Sequence, residues 1–196
     1  MTLRIEALIL MGGQNKRMNG NHKAFLSFND MSFLEVILKS LDGFSKVYLS
    51  VDDKNKFSHL PYPLIEDLYP QIGPMGGIAS ALTQIDSPYL FVTACDMPFI
   101  TKDYVDYMIH TLTTLSHEVD CLVLCDEDGF FYPLGAIYSK KMLPRLLDMI
   151  NNGQYRLQQL IRQSQYYALP IKDTPIKKEV LNNINTPEDY EKFVHK

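Results

Sequence analysis

The chain predicts a three-layer α/β fold around a mostly parallel central sheet, and three observations carry that prediction. Apolar runs of strand length alternate with stretches of helical periodicity from Ile5 to Tyr190. One run, Tyr89-Leu90-Phe91-Val92-Thr93-Ala94, is apolar along its length, as a strand buried on both faces must be. Glycines or acids follow the strand runs, at Gly12-Gly13, Asp52-Asp53, Glu66-Asp67 and Cys95-Asp96. Open sheets of this Rossmann-like kind bind ligands beyond the carboxyl ends of their strands.

Length and composition bound the function. The 196 residues suit a single domain spanning 1–196 with a sizeable core. An apolar fraction of 46% and a charged fraction of 21% are ordinary globular values. A net charge of −4 argues against a nucleic-acid partner, which needs a basic face. Three cysteines, Cys95, Cys121 and Cys125, are too few and too odd for a disulfide framework and point to a reducing, cytoplasmic setting. Cys121 and Cys125 lie in an apolar run with no partner pair for zinc. No stretch reads as a signal peptide or a membrane span, so no membrane partner is expected.

The first strand, Ala7-Leu8-Ile9-Leu10, opens into a loop carrying Gly12, Gly13 and Gly20 among Lys16, Arg17 and Lys23. Glycines let backbone N–H groups approach an anion, Arg can grip phosphate in bidentate fashion, and Lys acts as a point charge. The spacing matches neither G-x-x-x-x-G-K-[ST] nor G-x-G-x-x-G. A solvated basic turn is the competing reading of the same residues.

These residues carry a resemblance. L-M-G-G-Q-N-K-R-M-N-G-N-H-K, from Leu10 to Lys23, is similar to the signature L-A-G-G-x-S-x-R-M-G-G-x-D-K of the molybdenum cofactor guanylyltransferase family. Met11 replaces Ala, Asn15 replaces Ser, Asn19 replaces Gly, and His22 stands where the family usually has Asp. An ordinary histidine titrates near neutrality where an Asp stays anionic, so His22 either makes the loop pH-sensitive or points to solvent and takes no part.

After the loop, Ala24–Phe28 is a short apolar segment ended by the Asn29-Asp30 turn. Ser32 with Glu35 forms a capping box for a helix whose apolar face is Phe33, Val36, Ile37, Leu38 and Leu41, ended by Gly43. Val47-Tyr48-Leu49-Ser50-Val51 is the next strand. Asp52-Asp53 beyond it suits a metal or ribose, though a polar loop is the more frequent explanation. Leu64-Ile65-Glu66-Asp67 is a third strand, followed by a turn at Gly73-Pro74 and a small-residue helix through Gly76-Gly77. That junction is a tight loop–helix packing or a ligand approach; the resemblance implies that it and Asp67 flank the nucleotide.

Tyr89–Ala94 ends in Cys95-Asp96-Met97-Pro98-Phe99. A carboxylate there suits Mg²⁺, which takes one or two carboxylates plus phosphate oxygens. Asp96 could instead cap the next helix, but Thr101 and Asp103 already offer that service. A helix over Thr101–Leu115, a strand over Asp120–Leu124, a solvated acidic turn at Asp126–Gly129 and an aromatic segment Phe130–Tyr138 follow, then helices near Lys141–Met149 and Tyr155–Gln163. The resemblance places Phe130–Tyr138 on the side of the acceptor pterin; a core β segment explains its aromatics equally well. Finally, Asn183 and Asn185 alternate along an extended piece before Thr186-Pro187, a strong helix start.

In sum of its blocks, the resemblance implies transfer of GMP from GTP to molybdenum-molybdopterin with release of pyrophosphate and with Mg²⁺ as cofactor. It implies catalytic roles for Arg17, Lys23 and Asp96, the last also binding the metal. It places GTP against Leu10, Met11, Gly12, Gly13, Lys23, Ser50, Asp67 and Asp96, and has Asn183 and Asn185 line the active site, at the acceptor or around the metal-bound water or phosphate. Proteins that deliver or receive the cofactor are the implied partners. A CTP- or sugar-phosphate-dependent relative of the same fold remains an alternative, as does a non-catalytic nucleotide-binding module. Relatives using CTP often have Ala-Gly at Gly12-Gly13, so the glycine pair favours guanine.

Overall fold

The structure, a computed structural model, describes residues 3–12, 23–28 and 30–194. Gly13, Lys16, Arg17, Gly20 and His22, all read above as parts of the phosphate loop, lie outside the described residues.

Strand β1 (Ile5–Leu10) pairs in parallel with β4 (Val47–Val51) on one side and β6 (Tyr89–Ala94) on the other. Three further strands extend the sheet beyond β6 and one beyond β4. These are β5 (Leu64–Glu66), β7 (Cys121–Cys125), β8 (Phe131–Ser139) and β9 (Tyr166–Pro170). The order is β5-β4-β1-β6-β8-β7-β9, and only β8 runs against the rest. β6 is the middle strand and every residue of it is buried, as its unbroken apolar run requires.

A small hairpin, β2 (Ser27–Phe28) with β3 (Met31–Ser32), precedes helix α1 (Phe33–Ser40). Asp30 turns the hairpin at φ 63°, a conformation that Asp tolerates better than most residues. The Ser32–Glu35 capping box forms in both directions. The helix face differs from the expected one: Leu34 is buried while Val36 and Leu38 are half-buried. The helix also ends at Ser40 with Leu41 as its cap, and Gly43, at φ 110°, turns the chain afterwards.

α2 (Lys54–Phe57) is a single turn capped by Asp53, whose carboxylate accepts from Asn55 N–H at 2.9 Å. Asp52 pairs with Lys56, so both acids serve local structure, as a polar loop does. α3 (Pro74–Gln84) and α4 (Lys102–Thr114) follow β5 and β6; Thr101, not Asp96, caps α4. α5 (Leu143–Asn151), α6 (Leu157–Arg162) and α7 (Pro187–Val194) complete the chain. Sequence periodicity missed β9, an edge strand, along with the hairpin and α2. None of the helices is long and apolar enough to cross a membrane among the described residues.

Candidate active site

The parallel strands end level with one another. Leu10 is in register with Ser50 and Ala94, and Val51 with Glu66. The ladder then continues one residue further: Met11 N–H donates to Ser50 carbonyl (2.9 Å), Cys95 N–H to Leu10 (3.0 Å) and Asp67 N–H to Val51 (2.9 Å). Met11, Asp67 and Cys95-Asp96 therefore leave the sheet along one edge.

α3 lies close over that edge because it is built of small residues. A Cβ on Gly77 would fall 2.6 Å from Leu10 Cδ2 and 2.7 Å from Ser50 Oγ. Leu10 and Ser50 are correspondingly buried, their side chains against the helix, whereas Gly12 is exposed. A Cβ on Gly76 would fall 2.7 Å from Asp67 Oδ1. That oxygen accepts from Tyr69 N–H at 2.8 Å and lies 3.3 Å from the Ser80 hydroxyl. Ser80, which sequence reading passed over as one more small residue, also accepts from Leu68 N–H at 2.8 Å. Burial pushes the Asp67 carboxyl above the usual carboxylate range, against these hydrogen bonds.

Four of the predicted site residues meet in one cluster. Lys23 opens the 3-10 turn Lys23–Phe25, and its ammonium donates to Asn185 Oδ1 at 2.9 Å and stands 3.6 Å from Asp96 Oδ2. Asn183 Nδ2 reaches Asp96 Oδ1 at 3.4 Å. The backbone is fastened as well, since Ile184 N–H donates to the Asp96 carbonyl at 2.8 Å. Ile184 is fully buried between its exposed neighbours, so the extended alternation directs both asparagines toward the Lys23–Asp96 pair. Asp189 secures the segment: its Oδ2 accepts from Asn185 N–H (3.2 Å) and Thr186 N–H (3.0 Å).

Burial pushes the Asp96 carboxyl up, and the Lys23 charge pulls it back. No group of three or more His, Cys, Asp or Glu among the described residues could hold a metal by itself. The donors present are a carboxylate and amide oxygens, hard ligands that suit Mg²⁺ once phosphate oxygens complete the shell. The neighbouring Cys95 is a poor ligand, because its buried thiol is pushed up to about 12.

The aromatic segment divides. Tyr138 and Phe131 are core residues, and the Tyr138 hydroxyl donates to Pro133 carbonyl at 2.7 Å. Phe130 is exposed and packs edge-on to Tyr132, over which Lys178 Nζ sits 5.8 Å from the ring centre.

A mostly parallel sheet whose first strand leads into Gly12, with a lysine–carboxylate pair beyond its carboxyl edge, has the layout of a nucleotide-binding α/β domain. The chain belongs to the MobA-like NTP transferase domain family, whose model matches residues 7–168. It is 33% identical to a Clostridium perfringens protein named probable molybdenum cofactor guanylyltransferase, over 99% of this chain and 98% of that one. It is 28% identical to the molybdenum cofactor guanylyltransferase of Vibrio vulnificus, over 95% of this chain and 93% of that one. The crystal structure of molybdopterin-guanine dinucleotide biosynthesis protein A from Archaeoglobus fulgidus shares the fold, with a TM-score of 0.79 at 22% identity and 97% of each chain covered.

Proposed function

We propose that the chain transfers GMP from GTP to the terminal phosphate of molybdenum-molybdopterin, forming the molybdopterin guanine dinucleotide cofactor and releasing pyrophosphate. The observation that carries this reading is the Lys23–Asp96–Asn185 cluster at the strand edge, in a chain whose full-length relatives bear the guanylyltransferase name. An acceptor phosphate oxygen attacks the α-phosphorus in line as the bond to the β-phosphate breaks. Such an attack needs no strong base, and its barrier yields to positioning and to stabilisation of charge on the α-phosphate.

The residues take roles accordingly. Lys23 and Arg17 neutralise phosphate oxygens. Asp96 holds Mg²⁺, which when bound supplies charge neutralisation on the triphosphate and the leaving pyrophosphate. Gly12 and Gly13 offer backbone N–H groups; Met11, whose own N–H is taken by the Ser50 carbonyl, carries the chain to them, and Leu10 and Ser50 hold the end of that strand against Gly77. Asp67 flanks the guanosine. Asn183 and Asn185 orient Asp96 and Lys23, and Tyr132 with the exposed Phe130 offers aromatic faces on which a pterin could stack. Residues 1–196 act as one nucleotidyltransferase domain around the seven-stranded sheet. Free, buried cysteines suit work in the cytoplasm, with cofactor-delivery and cofactor-accepting proteins as partners.

Pyrophosphate release tests the reading. With molybdenum-molybdopterin, release should require both GTP and Mg²⁺. Binding of GTP without any release would make the chain a nucleotide-binding module instead.

A further inference from the structure

Lys23 stands on two oxygens brought from distant parts of the chain. Its ammonium is 2.9 Å from Asn185 Oδ1 and 3.6 Å from Asp96 Oδ2. An ammonium can only donate, so the Asn185 amide must present its oxygen here. The pair is well shielded, with the Lys23 and Asp96 side chains 17% and 18% exposed. A carboxylate and an amide carbonyl converging on one point are the donors a hard divalent cation takes. Two cations on the same pair of oxygens would repel strongly in so shielded a place. The lysine, on a flexible four-carbon stem, can leave.

We infer that Asp96 Oδ2 and Asn185 Oδ1 form one cation site, that the Lys23 ammonium and a divalent ion occupy it in alternation, and that a bound triphosphate draws Lys23 away. The inference rests on the metal-assisted reading of the function and assigns Asn185 a second task, as a ligand of the ion. Its consequence is order. A divalent ion binds the protein alone weakly and enters together with the nucleotide, whose phosphates relocate the competing lysine.

Mn²⁺ binding, counted by electron paramagnetic resonance of the free ion, tests this without turnover. Wild-type protein should bind Mn²⁺ weakly alone and tightly with the α,β-methylene analogue of GTP. Lys23→Met should bind Mn²⁺ about tenfold more tightly than wild type without any nucleotide. Adding Asn185→Leu to Lys23→Met should remove most of that gain, because an ion ligand is lost; a residue that merely held the lysine would have nothing left to hold. Should Lys23→Met fail to fold by circular dichroism, Lys23→Gln serves the same comparison. Unchanged Mn²⁺ affinity in Lys23→Met, or no effect of Asn185→Leu in that background, overturns the inference while leaving the guanylyltransferase reading intact. Failure of wild type to take up Mn²⁺ even with the GTP analogue overturns both.

Discussion

Lys23 and Asn185 are 162 positions apart in the chain, yet the lysine ammonium lies 2.9 Å from the asparagine amide oxygen. The contact joins the exit of the glycine-rich loop to the segment before the last helix. Asp96, at the end of the middle strand, completes it from below.

Asp96→Ala should lower turnover at least about a hundredfold, the loss expected when one metal carboxylate disappears from a charge-stabilised transition state. The fold should survive, because Ile184 is tied to the Asp96 backbone carbonyl rather than to its side chain. Pyrophosphate release and thermal unfolding, measured side by side, check the two halves.

Gly76→Ala should destabilise the protein by about 1–2 kcal/mol. Alanine improves helix propensity by up to about 1 kcal/mol, but overpacking costs about 1–3 kcal/mol. The new methyl would meet first the Tyr69 backbone carbonyl, which cannot step aside as a side chain can, and then Asp67 Oδ1 at 2.7 Å. Urea unfolding measures the balance, and a stabilised variant would mean that the loop after β5 gives way freely.

Asp67→Asn should raise stability near neutral pH. Burial raises the Asp67 carboxyl, so the folded state loses stability as pH rises through that elevated value. The amide keeps an oxygen for Tyr69 N–H without that cost. Its advantage should amount to roughly 2 °C in Tm at about pH 7 and fade toward about pH 4. Calorimetric GTP titration should show weaker binding by the same variant.

Asp189→Ala should act in the opposite sense with pH. Hydrogen bonds from Thr186 hold the Asp189 carboxyl below its usual range, so its contribution is present above the ordinary carboxylate pKa and disappears as pH falls through the lowered one. The Tm gap between wild type and variant should therefore close on going from about pH 6 to about pH 2. Turnover should fall about tenfold at neutral pH, since Asn185 loses its backbone anchor.

What was legible in the sequence was local chemistry. The Ser32–Glu35 box, the Thr101 and Thr186 caps and the unbroken apolar β6 each follow from neighbouring residues. The shared face of Asn183 and Asn185 was legible for the same reason. Their partners were not, because contacts across the sheet edge leave no periodic trace. The reversed direction of β8 depends on which strands it joins, and its sequence is indifferent to that choice. β9 escaped notice because Tyr166 and Tyr167 are both exposed on an edge strand, so no alternation marks it. The sequence marks Asp67 only as an acid at a strand end; its bond to Tyr69 and its proximity to Ser80 arise from the fold.

The most direct measurement is identification of the product. The chain is incubated with molybdenum-molybdopterin, Mg²⁺ and either GTP or CTP, and the products are resolved by mass spectrometry with pyrophosphate counted in parallel. A guanine dinucleotide cofactor formed with equimolar pyrophosphate, and little product from CTP, is the predicted result. A cytosine dinucleotide formed in preference, or no dinucleotide from either nucleotide, would contradict it.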